Sequence, residues 1–264
     1  MSERPALPRR IRDRAGVNAL LAAATNFEEK LPRDPLKKAL DLGRVTALLA
    51  SVEHPQVGAR TVHIAGSKGK GTVARMVAAG LREAGRGPVG LYTSPHLEDL
   101  SERIAIDGEP VREKPLARAA ARVLPHVRKT QGTPAAPTFF EIFTAIAWCV
   151  FYEAGCTDVV LETGLGGRLD ATTVCVPAVT VITWIELEHT RLLGTTLRAI
   201  AAEKAGILKP DVPVVALGLA PEAAEVVRER AEVLRAPLHD AFTDTLPDIC
   251  LLYTSDAADD RPRV

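Results

Sequence analysis

Residues 66–72, GSKGKGT, combine three glycines, two lysines and two hydroxyl side chains between an apolar run and a helical pattern. A strand that passes through a glycine-rich turn into a helix directs backbone N–H groups and the positive end of the helix at one point. That arrangement binds phosphate. Lys70 would supply a positive charge for the outer phosphates of a nucleotide, and Thr72 a hydroxyl ligand for Mg²⁺. The segment therefore predicts a phosphate loop.

The spacing departs from the common phosphate-loop pattern, G-x-x-x-x-G-K-[ST]. Only Ser67 and Lys68 separate Gly66 from Gly69, and Gly71 rather than a hydroxyl residue follows the second lysine. A plain strand-to-helix turn with incidental lysines is the alternative interpretation. Polar residues further along the chain favour the phosphate site.

Two of these polar residues follow apolar runs that are typical of strands. Glu162 ends the run DVVLE, and His189 comes shortly after AVTVITW. An acid at the carboxyl end of a central strand, near a phosphate loop, is well placed to bind Mg²⁺. The strand before His189 should neighbour the Glu162 strand, so we expect His189 to contact a metal ion or a phosphate. The helical pattern that ends at Glu203 and Lys204 indicates, taken alone, solvated charges.

A second glycine-rich segment, residues 164–172 (GLGGRLDAT), begins two residues after Glu162. Its three glycines would allow the backbone to approach a ligand closely, and Arg168 and Asp170 add polar groups to the same loop. A simple connection between two elements needs fewer glycines. The segment therefore predicts a binding loop.

Short apolar runs alternate with helical patterns along the chain and would position these residues. Strands are predicted in TVHIA, GPVGLYT, TDVVLET, AVTVITW and VPVVALG, and a hairpin about Asp107-Gly108. Helical patterns lie before and between them, among them GTVARMVAAGLREAG, FFEIFTAIAWCVFYEAG and TLRAIAAEKAGIL. The alternation predicts an α/β fold, a mostly parallel sheet with helices on both faces.

The domain organisation follows from the same pass along the chain. Residues 1–35 are predicted to be a partly loose N-terminal segment, and residues 36–248 one α/β domain that is incomplete at its C-terminal end. Residues 249–264 neither continue a strand nor form an amphipathic helix, and resemble translated sequencing-adapter read-through. We expect this tail to be non-native and the chain to be a truncated reading frame; a genuine disordered terminus is the alternative.

Composition excludes several classes of protein. Of the 264 residues 47% are hydrophobic and 25% charged, which is typical of a globular domain. Lys and Arg total 33 and balance 33 Asp and Glu, so the basic field that bulk nucleic-acid binding requires is missing. The longest apolar run is too short to span a bilayer, and four cysteines without metal-ligand spacing indicate free thiols. We expect a cytoplasmic protein without nucleic-acid or membrane partners.

Together these segments resemble the folylpolyglutamate synthase / dihydrofolate synthase family of the Mur ligase superfamily. The matching stretches, in family order over roughly residues 40–215, are HIAGSKGKGT, GLYTSPHLEDLSERIAIDGEPV, TFFEIFTAIA, LETGLGGRLDATT, TWIELEHT and IAAEKAGILKP. The resemblance implies a phosphate-loop domain like the central domain of Mur ligases, with the family's second, C-terminal α/β domain absent from this sequence.

The resemblance also implies roles for individual residues. The candidate nucleotide-binding residues are Gly66, Ser67, Lys68, Gly69, Lys70, Gly71 and Thr72. Ser94 and Glu162 match Mg²⁺ ligands, and His189 matches a ligand of a second Mg²⁺. Lys204 matches a lysine that is carbamylated in this family. Lys70, Lys204 and His189 are the candidate catalytic residues. The segments that match the pteroate-binding site supply Thr138, Phe139, Phe140, Glu141, Leu169, Asp170 and Ala171.

The activity that the resemblance implies is ATP-dependent addition of L-glutamate to dihydropteroate or a reduced folate through an acyl phosphate, by a monomer. The family usually has Thr-Asn at Ser67-Lys68, Asp at Glu188 and Asn at Thr173, so the effect of Lys68 on nucleotide binding is open. A cell-wall amino-acid ligase, a phosphate-loop kinase or regulatory NTPase, and a nucleotide-binding fragment without catalysis are the alternatives. We expect the chain as it stands to be an inactive fragment.

Overall fold

A computed structural model describes residues 5–28 and 40–241 of the chain. The predicted tail of residues 249–264 lies outside these ranges, as does part of the predicted N-terminal segment. The strands are β1 Arg60–Ala65, β2 Val89–Tyr92, β3 Ile104–Ile106, β4 Glu109–Pro110, β5 Asp158–Glu162, β6 Val179–Ile182, β7 Val214–Ala216 and β8 Leu238–Asp240. The α-helices are α1 Arg14–Ala22, α2 Leu42–Ala50, α3 Lys70–Glu83, α4 Glu113–Thr130, α5 Phe139–Glu153, α6 Thr190–Leu193, α7 Leu197–Lys204 and α8 Pro221–Val233.

Within the described residues, eight strands form one sheet in the order β4-β3-β2-β5-β1-β6-β7-β8. The six strands from β2 to β8 in this order are parallel, and β3 and β4 extend the sheet as an antiparallel hairpin. The hairpin turn is at the predicted Asp107-Gly108, where both residues have positive φ (52° and 88°), as the two-residue turns that suit twisted strands require. The predicted α/β fold class is confirmed.

One predicted pair of neighbouring strands is wrong. Strand β1 lies between β5 and β6, so the strand that precedes His189 does not pair with the strand that ends at Glu162. The chain runs from β1 to β2, returns to insert β5 beside β1, and then places β6 on the other side of β1. The order of strands thus reverses at β1, and such a reversal opens a crevice at the carboxyl ends of the strands.

Helices cover both faces of the sheet. Alternate residues of β5 show the division, because Val159 and Leu161 join the core formed by α1, α2, α4 and α5, whereas Val160 joins the smaller core under α3. Helix α5 is the centre of the larger core and is buried nearly all round. It begins at the cap Thr138, whose side chain and that of Glu141 each accept the other residue's backbone N–H.

A helix that crosses a membrane must be both long and apolar. Within residues 5–28 and 40–241, none of the helices combines the length and the apolarity that crossing a bilayer would need. Helix α5, although apolar, has 15 residues and packs inside the protein.

Gly90 on β2 offers a test of this packing. A Cβ at this position would lie 2.7 Å from a ring carbon of Phe151 on α5. We therefore expect Gly90→Ala to lower the free energy of unfolding by about 1–3 kcal/mol, the usual cost of overfilling a core. Gly80→Ala is the matched control: this helical position has open space around it, and alanine should stabilise it by roughly 0.5–1 kcal/mol. Urea unfolding curves of both variants would show the opposite signs; a Gly90→Ala variant as stable as the unchanged chain would contradict the packing of α5 on β2.

Candidate active site

The phosphate loop joins β1 to α3 at the centre of the sheet. Helix α3 starts at Lys70, and its cap is Gly69 with a left-handed backbone, φ 80°. Because glycine has no side chain that could accept from the first N–H groups of the helix, these donors remain available to a bound anion. Lys70 is half-buried at the same point. The loop therefore has the geometry that the sequence predicts for a phosphate site.

The loop is anchored to the segment after β6. The Ser67 N–H donates to the carbonyl oxygen of Trp184 (2.7 Å), and the Ser67 hydroxyl lies 3.1 Å from both the backbone nitrogen and the carbonyl oxygen of Glu186. The hydroxyl of Thr183 donates to the Lys68 carbonyl oxygen (2.7 Å). A Cβ on Gly66 would collide with that same hydroxyl. Gly66 is thus required by close packing against the neighbouring strand.

Lys68, the unusual residue of the loop, has a partner. Its ammonium lies 3.3 Å from the Glu186 carboxylate, and both side chains are well exposed, at 67% and 40%. Charges in such a solvated pair are strongly screened. Lys68 therefore adds little net charge beside the phosphate position.

Lys204, at the end of α7, anchors the phosphate loop through hydrogen bonds of its side chain. Its Nζ donates to the Gly66 carbonyl oxygen (2.7 Å) and to Glu188 Oε1 (2.6 Å), and the side chain is 1% exposed. Burial lowers its pKa, and the Glu188 carboxylate opposes that effect. The helical pattern alone predicted that Lys204 is solvated. This prediction is wrong, because the fold packs the end of α7 against the phosphate loop. The neighbouring Glu203 instead binds Arg168 (2.7 Å).

Glu162, at the end of β5, brings a second carboxylate close to this loop. Its Oε2 accepts the backbone N–H of Ser94 (3.1 Å), and a Cβ on Gly71 would lie 3.4 Å from the same oxygen. Burial raises the pKa of Glu162, against the opposing effects of the Ser94 N–H and the nearby Lys70 ammonium. A carboxylate and a serine at the mouth of a phosphate loop suit Mg²⁺, which commonly takes one or two carboxylates together with phosphate oxygens.

The described residues hold no group of three or more His, Cys, Asp or Glu side chains spaced to bind a metal ion by themselves. A Mg²⁺ ion bound here would complete its coordination with other oxygens, such as those of water, phosphate or a hydroxyl group. His189 has a left-handed backbone (φ 45°) at the start of the short helix α6, and its side chain is exposed. It shares a cavity with Ser94.

That cavity has a volume of about 340 Å³ and adjoins the loops after β2, β5 and β6. Seven of the other predicted residues line it with His189: Ser94, Thr138, Phe140, Glu141, Leu169, Asp170 and Ala171. Its apolar lining is completed by Leu165 of the predicted binding loop and by three residues that the sequence did not indicate: Phe27, Leu40 and Pro95. Two of the three predicted metal ligands, Ser94 and His189, thus share a cavity with most of the predicted substrate-binding residues, whereas Glu162 lies outside its lining.

Phe139 is the predicted substrate residue that the structure places elsewhere. It is 9% exposed, stacks on Phe143 with ring centroids 6.2 Å apart, and lies under the guanidinium of Arg103. Consecutive residues of a helix point in different directions, so Phe140 faces the cavity while Phe139 faces the core.

Arg103 is a buried residue that the sequence did not indicate. Its guanidinium donates two hydrogen bonds to the Glu28 carboxylate (2.7 and 2.6 Å) and one to Nδ1 of His96 (2.9 Å). Glu28 lines the cavity. Arg103 therefore holds the segment before residue 29 against the loop after β2. No local pattern could reveal this pair, whose members lie 75 residues apart.

A phosphate loop at the point where the strand order reverses, beside an acid on the neighbouring strand, defines the class: a phosphate-loop α/β domain. No protein-family model matches the chain. It is 40% identical over 218 residues to dihydrofolate synthase/folylpolyglutamate synthase of Bacillus subtilis, covering 82% of this chain and 49% of the relative.

Solved structures agree. The folylpolyglutamate synthase of Thermotoga maritima superposes with a TM-score of 0.71 at 35% identity, over 76% of this chain and 46% of that chain. An FPGS complex with AMPPCP and folate gives a TM-score of 0.73 at 37% identity, over 81% and 52%. The chain spans about half the length of the relatives that it matches. It is a partial homologue of the folylpolyglutamate synthase / dihydrofolate synthase family, in the Mur ligase superfamily, and the predicted resemblance is confirmed.

The ion pair of the buried Arg103 predicts an effect on stability. We expect Arg103→Met to lower the free energy of unfolding by about 1.5–3 kcal/mol, because the carboxylate of Glu28, whose side chain is 31% exposed, loses its hydrogen bonds to a charged partner. Arg118→Met is the matched control: Arg118 pairs with Glu153 but is 66% exposed, so its loss should cost less than about 1 kcal/mol. Chemical denaturation of the two variants side by side measures the difference, and equal small losses would show that the Arg103 pair is solvated.

Proposed function

We propose that this chain is part of an ATP-dependent ligase that adds L-glutamate to dihydropteroate or a reduced folate through an acyl-phosphate intermediate. The observation that carries the proposal is the position of Glu162, which feels the charge of Lys70 and accepts the backbone N–H of Ser94, a residue that lines the cavity. The homologue with bound AMPPCP and folate supports the same two classes of small molecule. Monomeric action and the choice of dihydropteroate or tetrahydrofolate as acceptor belong to the proposal.

The first step is attack of a substrate carboxylate on the γ-phosphorus of ATP, which forms the acyl phosphate and releases ADP. Two anions must approach each other, so neutralisation of charge is the main task of the site. In the proposal, the Lys70 ammonium and the N-terminal N–H groups of α3 hold the phosphates. Glu162, Ser94 and His189 would hold Mg²⁺, which neutralises phosphate charge when it is bound.

In the second step the neutral amine of L-glutamate attacks the acyl carbon. A carbon–nitrogen bond forms, the bond from that carbon to the phosphate oxygen breaks, and inorganic phosphate leaves with a proton lost from the nitrogen. The cavity would hold the acceptor: Phe27 and Phe140 supply aromatic walls, and Asp170 and Glu141 supply polar groups. A cavity of about 340 Å³ lies in the range of small-molecule sites.

Carbamylation of Lys204 forms part of the proposal. The reaction requires a neutral amine, and burial lowers the pKa of this lysine, which favours that form. The Glu188 carboxylate, at 2.6 Å, holds the unmodified ammonium in place. A carbamate at Nζ would carry a negative charge, so Glu188 would have to turn away from it or share a cation with it.

Catalysis by the chain is tested with radiolabelled L-glutamate. Incubation with ATP, Mg²⁺ and either dihydropteroate or tetrahydrofolate is expected to give a labelled pterin product only if the described site suffices for both steps. Formation of ADP that depends on the pterin, without incorporation of label, would show that the chain carries out only the first step. Binding of both ligands without any turnover would support the nucleotide-binding alternative and contradict catalysis.

The two lysines of the phosphate loop should differ sharply in their contribution to nucleotide binding. We expect Lys70→Ala to weaken binding of AMPPCP with Mg²⁺ at least about tenfold, since removing a phosphate-binding charge typically costs about 2 kcal/mol or more. Lys68→Asn should change the affinity less than about threefold, because Glu186 already balances that charge. Isothermal titration calorimetry measures both, and equal losses would mean that the wrong lysine has been assigned to the phosphates.

A further inference from the structure

A buried histidine lies behind the cavity and has no role in the steps described so far. His63 is on the central strand β1, is 0% exposed, and its Nε2 lies 2.7 Å from the hydroxyl oxygen of Thr172. That hydroxyl lies 2.5 Å from Oδ1 of Asp170, which lines the cavity. Three polar side chains thus form a continuous chain from the middle of the sheet to the cavity wall.

The direction of each hydrogen bond among these three side chains follows from which groups can donate. Asp170 accepts N–H groups at both oxygens, from Thr172 at Oδ1 (3.0 Å) and from Gly164 and Leu165 at Oδ2 (2.9 Å each). Burial raises the pKa of Asp170, but these three N–H groups favour its ionised form, and an ionised carboxylate cannot donate. The single hydroxyl proton of Thr172 therefore points to Asp170. The Thr172 oxygen can then only accept from His63.

This assignment fixes the tautomer of His63 as the one with a proton on Nε2. Its Nδ1 is buried and, among the described residues, has no hydrogen-bond partner. Burial, with a smaller contribution from the charge of Lys209, lowers the pKa of His63 to about 3. The ring therefore stays neutral near pH 7, and Nδ1 remains an unprotonated acceptor.

We propose that His63 is a positioning residue: its Nε2–H orients the Thr172 hydroxyl, which holds the Asp170 carboxylate in one rotamer at the wall of the cavity. The consequence for ligand binding rests on the function proposed above. Asp170 in turn accepts the backbone N–H groups of Gly164 and Leu165, which line the cavity, so the shape of this loop is set before the ligand arrives. Without His63 the Thr172 hydroxyl is free to rotate away from the carboxylate.

Matched pairs of variants separate this role from simple packing. His63→Gln retains an N–H donor near the position of Nε2, whereas His63→Leu removes it. Thr172→Ser retains the hydroxyl, and Thr172→Val removes it at nearly the same volume. We expect His63→Leu and Thr172→Val to weaken dihydropteroate binding at least about tenfold, the scale of one lost polar interaction. Neither glutamine nor serine reproduces the shape of the native side chain. Even so, the dihydropteroate affinity of His63→Gln and Thr172→Ser should stay within about threefold of that of the unchanged chain.

The affinity for AMPPCP with Mg²⁺, measured on the same preparations, serves as the control for folding and should change less than about threefold in all four variants. Comparable loss of dihydropteroate affinity in the donor-keeping and donor-removing variants would overturn the proposal. A selective loss in His63→Leu and Thr172→Val supports it.

A second measurement does not depend on the ligand. Long-range ¹H–¹⁵N correlation spectra of the unchanged chain should show His63 as a neutral ring with the proton on Nε2 from pH 5 to pH 8, its signal being identified by its absence from His63→Gln. A proton on Nδ1 would overturn the proposal. If the unchanged chain fails to bind dihydropteroate, the proposed function fails, and the tautomer still decides the hydrogen-bond chain.

Discussion

The buried ammonium of Lys204 is the interaction on which the site depends. It joins the first glycine of the phosphate loop to Glu188 in the segment after β6, and so connects the ends of two neighbouring strands. An ammonium with 1% exposure loses most of its hydration, and this cost is offset only while both partners stay in place. The position of the phosphate loop is therefore coupled to that of the segment that carries His189.

The second glycine-rich loop depends on the same helix. A Cβ on Gly167 would lie 2.8 Å from the carbonyl oxygens of both Glu203 and Lys204, and the Arg168 N–H donates to the Glu203 carbonyl oxygen (2.8 Å). Gly164 is similarly close to the Phe140 ring. The glycines of this loop thus allow close packing within the protein itself. By that packing the end of α7 supports the phosphate loop on one side and the loop of Asp170 on the other.

Local patterns predicted the described strands other than β8, the helices other than the short α6, and the Asp107-Gly108 turn, because each depends on neighbours within a few residues. The glycines at 85 and 155, both with positive φ, follow helices that end where the sequence predicted. Strand order was predicted less well: nothing local to β6 shows that β1 separates it from β5. The same limit applies to the site. Lys204 and Arg103 are charged residues whose burial depends on partners far along the chain, and Phe139 differs from Phe140 only in the side of the helix that it occupies.

The charges of the crevice are divided in a way that suits the proposed chemistry. Lys70 stands at the start of α3, where the helix N-terminus adds positive potential, while the carboxylates of Asp170 and Glu141 line the cavity. Glu162 lies at the boundary, beside Ser94. Neither carboxylate is a free charge, because Glu141 is paired with Arg44 (2.9 Å) and Asp170 accepts from its own loop. The positive charge of the crevice is thus concentrated at the phosphate loop. In the proposed function, this charge would draw the carboxylate of an acceptor toward the phosphates, as formation of an acyl phosphate would require.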